Sequence, residues 1–503
     1  MIRLTLAVTL LAIGTLSPAA QGQTPGALDD AARAGVVAKA ADSLRNRYVF
    51  PDKGEQAAAK LEAQLKAGAY KDLTQPRALA DQLTKDLYDI TKDKHLRVNA
   101  PGPAPAPVAG APPPGPPPKS EAGVVRADRL AGNVGYIEVV GFPAPSAFKP
   151  VIDKAMATLG DTSAIVLDLR RNNGGSADSD AYLSSHFADP KKKSALNSVI
   201  NRKPNTLEFT TKEFWAEPTK TNLFGKPLYV LISQRTFSAG EAVAYDLQCL
   251  KLATFIGETT GGGANPGGAG PIGSGLSMFV PGGRAENPAT KTNWEGVGVI
   301  PDIKVPAADA LKVALEKLGQ KPASGDIAVL SVAKLFEPRT TATPGLEALA
   351  RKIIEGDAKG EPALDIMSPG LAQAAQAQSA ALIKGYARSG PLKSLIFQGP
   401  GPGGGDAYSA VFEYNTRPIS IALGADGKVF SFGIGPPALQ NNEQLKASFK
   451  RIDLNADGKL DKAEYKEMLT IIGVPEMFDS LFTTIDDDKD GALTAKEYEA
   501  HPQ

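Results

Sequence analysis

Two kinds of segment in this sequence place reactive or ligating side chains at fixed spacing. The first is Arg235-Thr236-Phe237-Ser238-Ala239-Gly240-Glu241. The apolar run Leu228–Ser233 precedes it and the helix-patterned run Ala239–Leu250 follows it. Ser238 is therefore expected to open a helix, where unpaired N–H groups and the positive end of the helix dipole face it. A serine there can attack a carbonyl while neighbouring amides hold the developing oxyanion. The same Ser-x-x-Glu spacing is also that of a capping box between Ser238 and Glu241, so the motif alone leaves a structural role open.

The second kind is a pair of acidic loops. From Asp453 to Glu464, oxygen-bearing side chains fall at loop positions one (Asp453), three (Asn455), five (Asp457), nine (Asp461) and twelve (Glu464). Lys459 at position seven would offer its backbone carbonyl, and Gly458 supplies the sharp turn at six. The pattern returns as Asp486, Asp488, Asp490, Gly491, Ala492 (carbonyl), Thr494 and Glu497, starting 33 residues later. A calcium ion takes six to eight oxygens, and this spacing wraps them around one point. Apolar Phe449 and Ile452 before the first loop, Tyr465 after it and Phe482 before the second fit flanking helices. Two Ca2+ sites in a paired EF-hand are expected, and no organic cofactor.

The remaining chemistry is sparse. The chain has 503 residues, 55 basic and 55 acidic side chains, one cysteine and three histidines. A balanced charge offers no field for nucleic acid, which is not expected as a partner. One cysteine excludes an internal disulfide and a Cys-rich metal site. Cys249 reads as a buried, inert thiol on the helix after Ser238, and His186 as a structural side chain. His501 lies within the last three residues of the sequence. The Gly261–Gly270 segment lacks the Gly-Lys-Ser/Thr ending of a phosphate loop and reads as a flexible wall of a cleft.

The elements that would position these residues follow from periodicity. Residues 1–22 carry a charged start, an apolar run from Leu4 to Leu16 and small residues ending in Ala20-Gln21-Gly22, the pattern of a signal peptide. An exported protein, periplasmic or secreted, is expected, with no integral membrane segment after signal removal. Residues 27–100 read as a helical bundle, with apolar positions such as Val36, Val37, Ala40 and Leu44 at helical spacing. Residues 101–122 form a linker whose first eighteen positions hold ten prolines. Residues 123–320 alternate buried apolar runs (Val134–Val140, Ser163–Leu169, Leu228–Ser233, Ala253–Gly257) with helices, which argues for α/β layers with much parallel sheet. Residues 325–440 pattern as helices followed by an antiparallel sheet, and 441–503 hold the EF-hand pair.

Taken in order, several segments resemble the tail-specific (C-terminal processing) serine peptidases, in their tricorn-like and interphotoreceptor-retinoid-binding-protein-like branch. They are Asp93-Lys94-His95-Leu96, Gly135-Tyr136-Ile137, Asp168 to Gly175, Thr236 to Glu241, Gly257 to Gly263 and Asn293 to Asp302. The resemblance covers roughly residues 27–315. It implies Ser238 as nucleophile, His95 as general base and Glu295 as the acid that orients it. It also implies an oxyanion hole from the N–H groups of Gly174 or Gly175 with Ala239. The serine–lysine branch is disfavoured, because Glu258 to Asn265 holds no lysine. Lys94 stands where the tricorn pattern has a serine, and no PDZ-type insert is evident.

The implied fold class is a multidomain α/β protein: a ClpP/crotonase-like peptidase core, an N-terminal helical bundle, an α+β cystatin-like accessory domain and an all-α EF-hand pair. The implied partner is a polypeptide substrate, and a homo-oligomer is left open. A ligand-binding protein on the same fold and a small-ester hydrolase are the alternatives. His95 and Ser238 lie on opposite sides of the proline-rich segment, so they meet only if two regions dock.

Overall fold

The structure is a computed structural model. It describes residues 28–100, 119–322, 325–401, 404–424, 426–435, 437, 442–472, 482, 485–486 and 488–500. The expected signal peptide, the proline tract 101–118 and His501 lie outside the described residues. The chain divides into two compact units, Met1–Pro338 and Arg339–Gln503.

In the first unit, helices α1 (Asp30–Arg47), α2 (Pro51–Lys66) and α3 (Pro76–Thr91) precede strand β1 (Arg97–Asn99). The core then runs β2 (Val124–Leu130), β3 (Val134–Val139), α4 (Pro145–Thr158), β4 (Ala164–Asp168), α5 (Ala177–Ser185), β5 (Ala195–Arg202) and β6 (Phe209–Trp215). It continues with β7 (Leu228–Ile232), α6 (Ala239–Cys249), β8 (Thr254–Gly257), β9 (Gly267–Gly273), β10 (Leu276–Pro281), β11 (Gly283–Glu286), β12 (Ile303–Lys304), α7 (Ala310–Lys317) and β13 (Ser331–Phe336).

A seven-stranded sheet of order β12-β8-β7-β4-β3-β2-β13 carries the core. From β12 to β3 every neighbour is parallel, while β2 and the edge strand β13 are added antiparallel. β3 and β4 are buried at every position, as continuous apolar runs covered on both faces must be. One face packs on α4 and α6 through Phe148, Ile152, Val243 and Leu247. The other packs on α7 through Leu311 and Leu315. β13 completes this sheet, so residues 331–336 belong with the core and not with the accessory region expected from residue 325.

The three N-terminal helices pack on one another and extend their shared core onto strands β9 and β10. β1 pairs with β10, and β10 with β9, both antiparallel. Val36, Ala40, Leu44, Leu83 and Leu87 share one apolar core with Ile272, Leu276, Met278 and Val280. The Val49 N–H donates to Pro281 O at 2.9 Å, and Arg202 donates to the carbonyls of Tyr48 and Arg45, each at 2.8 Å. This docking carries the loop after α3 across to the core. β5, β6 and β11 make a separate small sheet.

The second unit holds helices Leu346–Lys359 and Pro369–Ser389 against a four-stranded antiparallel sheet, β14 (Leu392–Pro400), β15 (Asp406–Phe412), β16 (Thr416–Leu423) and β17 (Val429–Ile434). The EF-hand region is joined to this layer. Gln444 Nε2 donates to Phe412 O at 3.1 Å, Ser448 Oγ donates to Tyr414 O at 3.0 Å, and the Arg451 guanidinium lies 4.6 Å from the Tyr414 ring centre. None of the helices among the described residues is long and apolar enough to cross a membrane.

Candidate active site and calcium loops

Ser238 sits at the N-terminus of α6 with φ 56° and ψ −122°, a left-handed conformation that a side chain disfavours. The strain is held from several sides. The carboxylate of Glu241 accepts the Ser238 N–H at 2.9 Å, and the Ser238 carbonyl accepts the Glu241 N–H at 2.8 Å. The Phe237 N–H donates to Asn172 O at 3.0 Å. Glu241 is fully buried and also accepts from Thr260 Oγ1 at 2.5 Å, Gly262 N at 2.6 Å and Gly263 N at 2.9 Å. Burial pushes its carboxyl up, and these four donors oppose the shift. The glycine segment is thus a cradle of N–H groups around an acid and then strand β9, in place of the flexible wall expected from composition.

Gly174 and Gly175 lie beside the Ser238 turn. A Cβ on Gly174 would come within 2.7 Å of Ser238 Cβ and 3.0 Å of Ala239 N, and one on Gly175 within 2.1 Å of Phe142 O. Both have positive φ. The Gly174 N–H is committed, donating to Asn172 Oδ1 at 2.9 Å. This removes it as an oxyanion donor. The N–H groups of Gly175 and Ala239 make no hydrogen bond among the described residues. Asn172, fully buried, fixes the arrangement: its Nδ2 donates to Val139 O at 3.0 Å while its backbone carbonyl holds Phe237.

His95 enters from the docked N-terminal region and is 5% exposed. Its ring lies against Phe237, the residue before Ser238, with centroids 4.6 Å apart, and against Phe279 at 5.8 Å. Burial, and secondarily the Arg97 guanidinium, push its pKa down to about 4, so the imidazole is neutral at pH 7. Among the described residues, Nδ1 makes no hydrogen bond. A carboxylate oxygen of Asp93, one of Glu295 and a ring nitrogen of His95 all lie within 4.8 Å of one another. Asp93 accepts the His95 N–H at 2.9 Å, Asn265 Nδ2 at 2.9 Å and Tyr48 OH at 3.1 Å. Glu295 is half-buried; Ala264 N donates to its Oε2 at 2.5 Å, and Oε1 has no hydrogen-bond partner among the described residues. Burial, aided by the charges of Asp93 and Glu241, pushes Glu295 up to about 7. The Trp294 indole anchors this turn by donating to Gly263 O at 2.8 Å.

The structure therefore sets Ser238 and Ala239 against the Gly174-Gly175 turn, His95 against Phe237 next to Ser238, and Glu295 beside His95. Asp93, Asn172, Phe237, Thr260 and Asn265 act on the same geometry but carried no role in the sequence reading. Asp93 stands two residues before His95 in Asp93-Lys94-His95-Leu96, and that spacing is the signal for it in the sequence. His186 is buried away from these residues, bonded through Nδ1 to Thr221 O at 2.7 Å. Cys249 is half-buried, less enclosed than expected.

In the second calcium loop, Asp486, Asp488 and Glu497 bring carboxylate oxygens within 4.8 Å of one another. Such convergence of like charge fits a hard dication. In the first loop, the N–H of Gly458 donates to Asp453 at 2.9 Å, that of Asp457 to Asn455 at 2.8 Å and that of Lys459 to Asp457 at 2.8 Å. Glu464 reaches back to the N–H of Leu454 at 2.9 Å and of Asp461 at 3.0 Å. Gly458 and Gly491 have φ 81° and 84°, as the turn at loop position six requires. Lys459–Leu460 pairs antiparallel with Leu493–Thr494, joining the loops, and Ala492 precedes that strand. The Lys459 ammonium bonds Asp490 of the other loop.

A strained serine at a helix N-terminus, unpaired amides beside it and a buried imidazole against the same turn are groups that a serine-peptidase site requires, here on an α/β core. Comparison with known families agrees. Residues 133–305 match the model described as peptidase family S41, and residues 30–124 match the N-terminal domain of that family in eukaryotic interphotoreceptor-retinoid-binding protein. Residues 442–501 match an EF-hand domain pair. The chain thus carries a peptidase family S41 domain, its N-terminal domain and a C-terminal EF-hand pair. Similar solved structures include the photosystem II D1 C-terminal processing protease (17% identity, 58% of this chain, 99% of that one, TM-score 0.39). Others are mature CPAF (17%, 43% and 56%, 0.32) and the tricorn protease (13%, 57% and 36%, 0.37).

Proposed function

We propose that this protein cleaves polypeptides through an acyl-enzyme at Ser238. His95 takes the hydroxyl proton as Ser238 attacks the scissile carbonyl. The oxyanion is held by the N–H groups of Gly175 and Ala239. His95 then passes its proton to the leaving amine, and water repeats the sequence to release the acyl group. Glu295 orients the imidazole and balances the imidazolium, and Asp93 fixes the backbone of His95. The observation that carries this reading is the strained Ser238 turn with the imidazole against Phe237 on one side and uncommitted amides on the other.

A fluorophosphonate probe tests it. Labelling that is lost in Ser238→Ala, together with turnover of peptides above esters, supports a peptidase. Labelling with ester turnover alone supports a small-ester hydrolase. No labelling supports a ligand-binding protein.

Three further parts belong to the proposal. Residues 1–22 act as a signal peptide, and the mature protein is exported, periplasmic or secreted; the charged start and short apolar run support this. Residues 339–435 form a cystatin-like accessory layer, supported by helices packed on an antiparallel sheet. The EF-hand pair holds two Ca2+ ions, one in each loop. When bound, calcium neutralises the converging carboxylates; this chain's contribution is the backbone turn that brings them together.

A further inference from the structure

Arg97 stands two residues after His95 at the start of β1 and is exposed. Its guanidinium makes no hydrogen bond or ion pair among the described residues. It lies over Phe279, Cζ 5.5 Å from the ring centre, and the His95 ring sits against the same phenylalanine at 5.8 Å.

The strand register explains this grouping. Arg97 is opposite Phe279, and Phe279 is opposite Ala269. Directly paired residues share a face, so these three form a row across the small sheet. Val98, Met278 and Val280 alternate with them and fill the core beneath. The upper face is open: Ala269 and Pro271 are exposed. It presents a small residue, an aromatic ring and an unpaired cation beside the catalytic imidazole. The three carboxylates nearby do not answer that cation. Asp93 and Glu241 are buried and held by their own donors, and Glu295 is anchored to Ala264.

We propose that Arg97 is the specificity residue of this cleft, and that it binds a carboxylate of the substrate near the bond to be cut. The assignment rests on the peptidase reading and narrows its substrate class to peptides bearing an anion. The two distances to Phe279 keep the guanidinium within about 11 Å of the imidazole, so at ~3.3 Å of extended chain per residue the anion lies a few residues from the scissile bond. An acidic side chain and a chain's own C-terminal carboxylate offer the same chemistry. The aromatic floor strengthens a charge-assisted bond by excluding water from one side.

The test uses the full chain and two fluorophosphonates that differ only in a carboxylate or carboxamide at the tail. Wild type should be labelled at Ser238 about tenfold faster by the acid, a ratio expected for one charge-assisted contact. The ratio should fall to about one in Arg97→Gln and be partly kept in Arg97→Lys, which retains charge and controls for folding. A ratio near one in wild type, or one unchanged by Arg97→Gln, overturns the proposal. Two peptide arms separate the sources. One has an internal Glu and an amidated end; the other has Gln and a free end. The arm whose preference disappears in Arg97→Gln identifies the anion. If neither is cleaved while the labelling ratio holds, the peptidase reading fails and the anion site stands.

Discussion

Glu241 holds Ser238 by its backbone: the carboxylate accepts the Ser238 N–H at 2.9 Å from inside the core, while the serine is kept at φ 56°. The same acid accepts from Thr260, Gly262 and Gly263, so one side chain ties the nucleophile turn to the segment that supports His95 and Glu295. Glu241→Ala would leave four donors without a partner. It should cost about 3 kcal/mol or more in stability and lower kcat/KM by about a hundredfold. Urea denaturation and peptide turnover measure the two effects. Loss of one without the other would separate the structural role from the positioning role.

The strain at Ser238 makes a distinct prediction. A left-handed backbone costs a non-glycine residue roughly 1–3 kcal/mol. Ser238→Gly should therefore abolish acylation yet raise stability by about 1 kcal/mol, whereas Ser238→Ala abolishes acylation without that gain. Denaturation midpoints of the two variants check it. Equal midpoints would mean that the turn is relaxed in solution.

Glu295 should set the pH dependence. Burial and neighbouring charge raise its pKa to about 7, so it becomes the charge-balancing carboxylate only as pH rises through that value. His95, depressed to about 4, is already neutral throughout this range. kcat/KM should climb between about pH 6 and 8. Glu295→Gln should lose that limb and fall about 10²- to 10⁴-fold at pH 8. Stability runs the other way. A carboxyl raised in the folded state favours its neutral form, so its contribution declines as pH rises from the ordinary value near 4 toward about 7. Glu295→Gln should be the more stable protein at pH 8 and indistinguishable at pH 4. A Glu295→Gln profile that keeps the limb near 7 would assign it to another group.

The parallel strands were legible because runs such as Ala-Ile-Val-Leu-Asp at Ala164–Asp168 are apolar without alternation, a pattern that suits burial on both faces. β9 was not, because Gly267–Gly273 holds four glycines and a proline and shows no side-chain periodicity. It is a strand only because β10 pairs with it. β13 was missed for a similar reason. Its alternate residues are exposed, and it is fixed by pairing with β2, two hundred residues away in sequence. In the cleft, Ser238 announced itself through the strand–turn–helix pattern. The bond from the Ser238 N–H to Glu241 was legible as the Ser-x-x-Glu capping box; the further donors to Glu241 and the role of Asn172 were not, because the fold brings those groups together from distant segments. Gly174 and Gly175 were inseparable in sequence; only the Asn172 side chain, by taking the Gly174 N–H, distinguishes them.

Asp246, on the inner side of α6, is buried, and among the described residues neither of its carboxylate oxygens is hydrogen-bonded. Burial pushes its pKa well above the usual range, and it raises that of the equally buried Asp180 on α5. A carboxyl raised in this way weakens the fold progressively as pH rises from its unfolded value near 4. Asp246→Asn removes the ionisable group at similar size. It should be near neutral for stability at pH 4 and raise the thermal midpoint at pH 8, by several degrees per kcal/mol relieved. Parallel midpoints of the two proteins across that range would contradict the assignment.

The calcium loops make a prediction that can be counted. Glu464 and Glu497 occupy the closing positions, where a bidentate carboxylate completes the oxygen shell. Calorimetry of the wild type should give two Ca2+ per chain, and Glu464→Gln and Glu497→Gln should each remove one. The loops are joined by the Lys459–Leu460 and Leu493–Thr494 pairing, so each single variant should also weaken the site that remains. Binding to the folded state stabilises it by about 2.7 kcal/mol at a free concentration a hundred times Kd. Chelation should accordingly lower the unfolding temperature of residues 339–503 in wild type and leave that of the double variant unchanged. Two ions still bound by Glu464→Gln would show that the first loop closes through a different ligand.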